Sequence, residues 1–287
     1  MMSNCPFCTG LVRTCLGRCL IGWVIAHCGL ASLGAPLQAL GQQPSGAKGP
    51  GDPQPTDPHP WIATAPPAFA RLIDRGRVRI VIDDPRLEVA KKHGLTTFRF
   101  SYDYVYRYEF NGVQPATDDP SRMTGNMIAK VRLIRFDTEH SVMLESRYQP
   151  DKPWENPLLQ HEFDHVSIST DPRFLKLAKD VLEQPIRVTV TWLKIQETSD
   201  AAVETAIKEG VSARITDLER LVQANYDALD RESRDGQANL SERSRFFLGL
   251  YSKAGLRRCK FPYLDSIRVP AQDSANKEVL KHYLFVD

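Results

Sequence analysis

The sequence predicts an α+β fold, with an antiparallel sheet first and helices packed on it. Three stretches carry that expectation. Thr96 to Phe110 places Phe98, Phe100, Tyr102, Tyr104, Tyr106, Tyr108 and Phe110 on one parity, the two-residue period of a strand with one buried face. Residues 161 to 165 read His161-Glu162-Phe163-Asp164-His165, an HExxH spacing just behind a helix start. Residues 200 to 234 keep Val203, Ile207, Val211, Ile215, Leu218, Val222 and Leu229 on one helical stripe. Strands and helices fall in separate runs, which favours α+β over an alternating α/β arrangement.

In chain order, Arg13 and Arg18 lead into an apolar run from Cys19 to Leu33. With Leu37-Gln38-Ala39 behind it, this has the layout of a secretory signal peptide over residues 1–39. The run is short for a membrane span and is interrupted by His27. Retention as a membrane anchor is the alternative. Cys5, Cys8, Cys15, Cys19 and Cys28 all lie in this segment, so Cys259 alone is left beyond it, and no internal disulfide is open to the rest of the chain. Residues 40–67 are rich in Pro, Gly, Gln and Asp and read as a linker, with the folded part, 68–287, expected to start near residue 68.

A first strand is expected over Arg77 to Asp83, and the aromatic strand follows it. Asn111-Gly112 is a turn signal, and Pro115 to Pro120 reads as a loop. Ile128 to Phe136 and Ser141 to Tyr148 read as a hairpin joined at Asp137-Thr138-Glu139-His140, which would leave His140 facing solvent. Asn156 is a good N-cap, and Pro157 suits the first helical position, where its missing N–H costs nothing. That helix runs to about Ser169, where Asp171-Pro172 interrupts it. A second helix, Pro172 to Glu183, takes Thr170 or Asp171 as its cap. Ile186 to Ile195 alternates like a strand. Gly236 ends the long helix, and a last helix over Glu242 to Ala254 has Ser241 as cap and Gly255 as terminator.

The chemistry is carried by HExxH. His161 and His165 are four residues apart and share a helix face, so both imidazoles can reach one Zn²⁺. Glu162 then lies beside the metal rather than on it, where its carboxylate can act as general base toward water. The competing reading is a solvated helix face carrying two histidines. A third ligand is needed. Asp171 has the spacing of the last ligand in HExxHxxGxxH proteases, but Ile168 stands where they need Gly, and Asp171 also suits a helix cap. Glu204, Glu209, Asp227 and Asp230 on the long helix are further candidates that spacing cannot separate.

From about Thr96 to Gln237 the chain resembles an uncharacterised bacterial family described as secreted zinc-dependent proteases. The resemblance rests on Trp154 ahead of the HEFDH helix and on Leu229-Asp230-Arg231-Glu232-Ser233-Arg234-Asp235-Gly236 at the end of the long helix. The latter is similar to a YDxETxHG pattern, with Leu229 for Tyr, Ser233 for Thr and Asp235 for the His that would be the natural third ligand. The resemblance implies a zincin-like fold, zinc as the cofactor, and His161, His165 and Asp235 as its ligands, with Glu162 as the catalytic base. Tyr226 is the candidate oxyanion partner.

The implied activity is that of an exported, secreted or periplasmic metallopeptidase acting on a peptide or protein substrate. A non-catalytic envelope protein with a structural or vestigial metal is the alternative. Composition agrees with a globular protein. Of 287 residues, 42% are hydrophobic and 25% charged, ordinary for a chain with a real core. Without Arg13 and Arg18 the 37 basic residues become 35, against 35 acidic, so no basic field favours nucleic acid.

Overall fold

A computed structural model of the chain describes residues 17–20, 60–148, 152–195, 200–238, 240, 242–267 and 282–283. The elements are β1 (Gly17–Leu20), α1 (Pro67–Gly76), β2 (Val78–Ile82), α2 (Pro85–Ala90), β3 (Gly94–Pro115), β4 (Arg122–Leu144), α3 (Pro157–Ser169), α4 (Pro172–Leu182), β5 (Ile186–Leu193), α5 (Asp200–Ser233), α6 (Arg243–Leu250) and α7 (Lys253–Arg258). The fold is α+β. Of the expected signal segment only β1 is described, and of the linker only residues from Pro60 onward. Pro60–Thr64 forms a short 3-10 helix whose Trp61 sits edge-on to Trp154, ring centroids 5.0 Å apart. Among the described residues no helix is long and apolar enough to cross a membrane.

The aromatic alternation forms β3, which pairs antiparallel with β4 from Gly94↔Leu144 to Pro115↔Met123. Phe98, Phe100, Tyr102 and Tyr104 point into the core as their shared parity requires. Two expectations fail here. Residues 128–148 do not form a hairpin, because β4 is a single strand of 23 residues. Asp137-Thr138-Glu139-His140 has turn composition but alternates in place. Thr138 and His140 are buried, while Asp137 pairs with Arg77 and Arg135, and Glu139 with Arg99. Asn111-Gly112 does not end β3 either. It falls at a register irregularity between Asn111 and Gln114, and the reversal comes at residues 116–121.

The sheet is mixed rather than purely antiparallel. β2 pairs parallel with β4 from Val78↔His140 to Ile82↔Leu144. Residues 83–93, including α2, carry the chain past the C-terminal end of β4, so that β4 lies between β2 and β3. β5 pairs antiparallel with the other end of β4, from Arg122↔Leu193 to Ala129↔Ile186. These four strands make the sheet, and β1 adds a fifth along β3 at Ser101 to Tyr104. Between its β5 and β2 pairings β4 has no partner strand on that side among the described residues, and there the Leu133 N–H donates to Glu183 Oε1 at 3.1 Å.

Helices α3, α4 and α5 pack against the sheet. The stripe Val203, Ile207, Val211, Ile215, Leu218, Val222 and Leu229 is wholly buried, as its spacing predicts. Arg214 on the same helix donates to the carbonyls of Leu182, Gln184 and Pro185, closing the C-terminal end of α4. The expected last helix is two, α6 and α7. Ser252 caps α7 by accepting from the Gly255 N–H at 3.1 Å, so Gly255 lies inside a helix rather than ending one. Ser241, its expected cap, lies outside the described residues.

Candidate metal centre

Asn156 Oδ1 accepts from the Leu158 N–H at 2.9 Å and Pro157 opens α3, as the sequence predicts. The helix ends where Asp171 becomes the cap of α4, accepting from the Arg173 N–H at 2.7 Å. Almost every residue of α3 from Leu159 onward is buried. That excludes the solvated-face reading, because His161 and His165 are only 5% and 4% exposed.

Both histidines turn their Nε2 atoms to one oxygen of α5. Asp230 Oδ1 lies 3.1 Å from His161 Nε2 and 2.9 Å from His165 Nε2. The three ligand atoms lie within 4.8 Å of one another, all on buried residues, and the group can hold a metal ion. Asp235, expected as the third ligand, is not part of it. Its carboxylate is 53% exposed and pairs with Lys92 at 3.2 Å. The reason is geometric: α5 ends at Ser233, and Asp235 lies in the turn beyond, whereas Asp230 is one turn after Tyr226 on the buried face. The other candidates are also elsewhere. Asp171 is held by Arg173 and Tyr283, Asp227 accepts from Gln223, and Glu204 and Glu209 are exposed.

Lys92 joins the group with no motif in the sequence to mark it. Its Nζ lies 2.9 Å from Asp230 Oδ2. Burial works to raise the Asp230 pKa, but His165, His161 and Lys92 together hold the carboxylate well below the usual range. For His161, burial works against the proton, and the Asp230 hydrogen bond and Glu162 outweigh it, so its pKa is raised. His161 Nδ1 lies 3.3 Å from Ser233 Oγ, which also accepts from the Gly236 N–H at 3.1 Å. Gly236 has φ +78°, and a Cβ there would stand 2.9 Å from His161 Cβ and Cγ, so the turn after α5 closes on the imidazole only with glycine. Among the described residues, buried His165 Nδ1 has no hydrogen-bond partner.

Glu162 is outside the ligand group. Thr96 Oγ1 on β3 donates to its Oε2 at 2.7 Å. A Cβ at Gly94 would meet Oε1 at 2.5 Å, so the bare backbone at 94 makes room for the carboxylate. Glu162, His161, Gly94, Lys92, Asp235 and Gly236 all line a cleft of about 800 Å³. The neighbouring Asp164 is buried and paired with Arg243 of α6. Burial pushes its carboxyl up and the guanidinium opposes the shift.

Tyr226, the candidate oxyanion partner, is completely buried behind His165, its ring centroid 4.4 Å from the imidazole. Its hydroxyl donates to Ser169 Oγ at 3.0 Å, and Ser169 Oγ lies 2.5 Å from His140 Nε2. His140 Nδ1 lies 2.7 Å from the Gly76 carbonyl, which only accepts, so Nδ1 carries the proton and Nε2 accepts from Ser169. Tyr226 and His140 therefore belong to a buried polar chain and not to the cleft.

Burial pushes the His140 pKa down to about 4. An unfolded histidine protonates near 6.5. Between those values the unfolded chain binds more protons than the folded one, so stability is full above pH 6.5 and is lost as pH falls toward 4. The expected loss from pH 7 to pH 4.5 is about 2–3 kcal/mol. Urea titrations of wild type and His140→Gln at the two pH values read it, and equal pH slopes would show that His140 protonates in the folded state.

Compared with protein-family models, curated proteins and solved structures, the chain matches none.

Proposed function

We propose that the protein is an exported zinc metallopeptidase of zincin-like build. One observation carries the reading: two imidazoles four residues apart on α3 and a carboxylate of α5 converge, and the intervening glutamate opens into a cleft. Two His and one carboxylate is a donor set zinc uses in catalytic sites. Donors of one tetrahedral zinc stand about 3.3 Å apart, as Zn–N and Zn–O distances of about 2.0–2.2 Å require. The 2.9 and 3.1 Å separations here are close to that. His161, His165 and Asp230 would hold the ion. When bound, it supplies Lewis acidity and lowers the pKa of water to about 7.

The chain's own residues supply the rest. Thr96 ties down Glu162 Oε2 and leaves Oε1 to take a proton from the attacking water and return it to the leaving amine. Ser233 sets the plane of the His161 ring. The resemblance at the end of the long helix supports the reading, with Asp230 of that pattern as the ligand in place of Asp235. The signal-like layout of residues 1–39 supports export.

The test is cleavage of an unstructured protein by the purified full chain loaded with zinc. Cleavage abolished by a chelator and restored by zinc is the expected result. One zinc per chain with no cleavage would sink the peptidase reading. It would favour the second reading, a non-catalytic envelope protein with a structural or vestigial metal. The Lys92–Asp230 pair gives that reading its footing, since it already neutralises the carboxylate.

A further inference from the structure

Asp230 uses its two oxygens for different partners. Oδ1 faces both imidazoles, and Oδ2 faces Lys92. The lysine is held for this. Lys91 caps α2 in the left-handed region at φ 55°, and the Lys92 N–H donates to the Leu87 carbonyl at 3.1 Å. The side chain runs inward, 15% exposed, and Asp235 Oδ1 takes the same ammonium at 3.2 Å. A cation touching a metal ligand repels the metal and on charge alone weakens binding. Its presence calls for a role that outweighs this repulsion.

We propose that Lys92 is a positioning residue of the metal centre. By occupying Oδ2 it confines Asp230 to ligation through Oδ1, so that two histidines and one carboxylate oxygen leave a coordination position for water or substrate. A free carboxylate can bind an ion through one oxygen or both. The second oxygen would fill the position that distinguishes a catalytic site from a closed one. Asp235 then acts on the lysine, as its second anchor at the rim of the cleft. The inference rests on the metal reading above and adds to it the reason the site stays open.

The test loads the full chain with Co²⁺ in place of zinc and reads the visible absorption, which is intense for four-coordinate cobalt and weak at higher coordination numbers. Wild type is expected to give the intense spectrum. Lys92→Met is expected to lose it several-fold as Oδ2 joins the ion, and Lys92→Arg to keep it. Asp235→Asn, at an exposed position, loosens the anchor and is expected to give a smaller loss in the same direction, which keeps the test decisive if Lys92→Met does not fold. Wild-type spectra in every variant that folds would overturn the role of Lys92 and leave the metal site standing. No cobalt uptake by wild type would overturn the metal centre itself, and this proposal with it.

Discussion

Glu162→Gln is expected to keep wild-type metal content and to lose cleavage activity by a factor on the order of 10²–10⁴. The substitution preserves size, and the amide oxygen can still accept from Thr96 Oγ1, so the 2.7 Å bond survives. The room left by Gly94 suits an amide as well as a carboxylate. The capacity to take a proton is lost. His161, His165 and Asp230 are untouched, which is why binding and turnover should separate. Metal content by mass spectrometry, beside kcat on an unstructured protein, gives both readouts. Retained activity would place the base elsewhere. Loss of the metal would make Glu162 a ligand or a structural residue.

Asp230→Asn and Asp235→Asn are expected to differ sharply. The first removes the charge shared by two imidazoles and should weaken metal binding by about 100-fold or more, since even residues behind the ligands are worth about 10–100-fold. It also strands Lys92, whose pKa is raised because Asp230 and Asp235 outweigh its burial. Removing one partner of a buried pair costs about 3–5 kcal/mol, part of which Asp235 offsets here. Asp235→Asn should change affinity by less than about tenfold, because its carboxylate reaches the centre only through the lysine. Competition against a chromophoric chelator reads the affinities, and thermal melts of the metal-free chains read the stability. The reverse ranking would return Asp235 to the ligand set.

What could be read from the sequence was local. The caps at Asn156 and Asp171, the period of two in β3 and the buried stripe of α5 depend on neighbours within a turn or a pleat, and all appear where expected. What could not be read depends on distant pairings. Asp137 to His140 has the polar composition of a turn. Their arginine partners are Arg77 at the end of α1, Arg135 on β4 itself and Arg99 on β3, and the inward places of Thr138 and His140 follow from pairing with β3 and β2. The carboxylate that meets the two histidines is Asp230 rather than Asp235, because the pattern that points to Asp235 runs past the helix end. Val222, Tyr226, Asp230 and Ser233, spaced four, four and three, lie on one face. An acid on a buried stripe needs a partner, and that signal was present. Lys92 had no such signal, since it meets Asp230 across 138 residues of chain.

The stretch of β4 between its β2 and β5 pairings bears on how the protein behaves in a crowd. A strand edge with free N–H and C=O groups is a template on which another chain can add itself and begin to aggregate. Among the described residues that side of β4 lacks a partner strand from Lys130 to Glu139, and the stretch carries Lys130, Arg132, Arg135, Asp137 and Glu139, while Glu183 occupies the Leu133 N–H. An incoming strand would have to displace a carboxylate and bury several charges. The gap that lets one long strand serve two partners is therefore guarded against self-association.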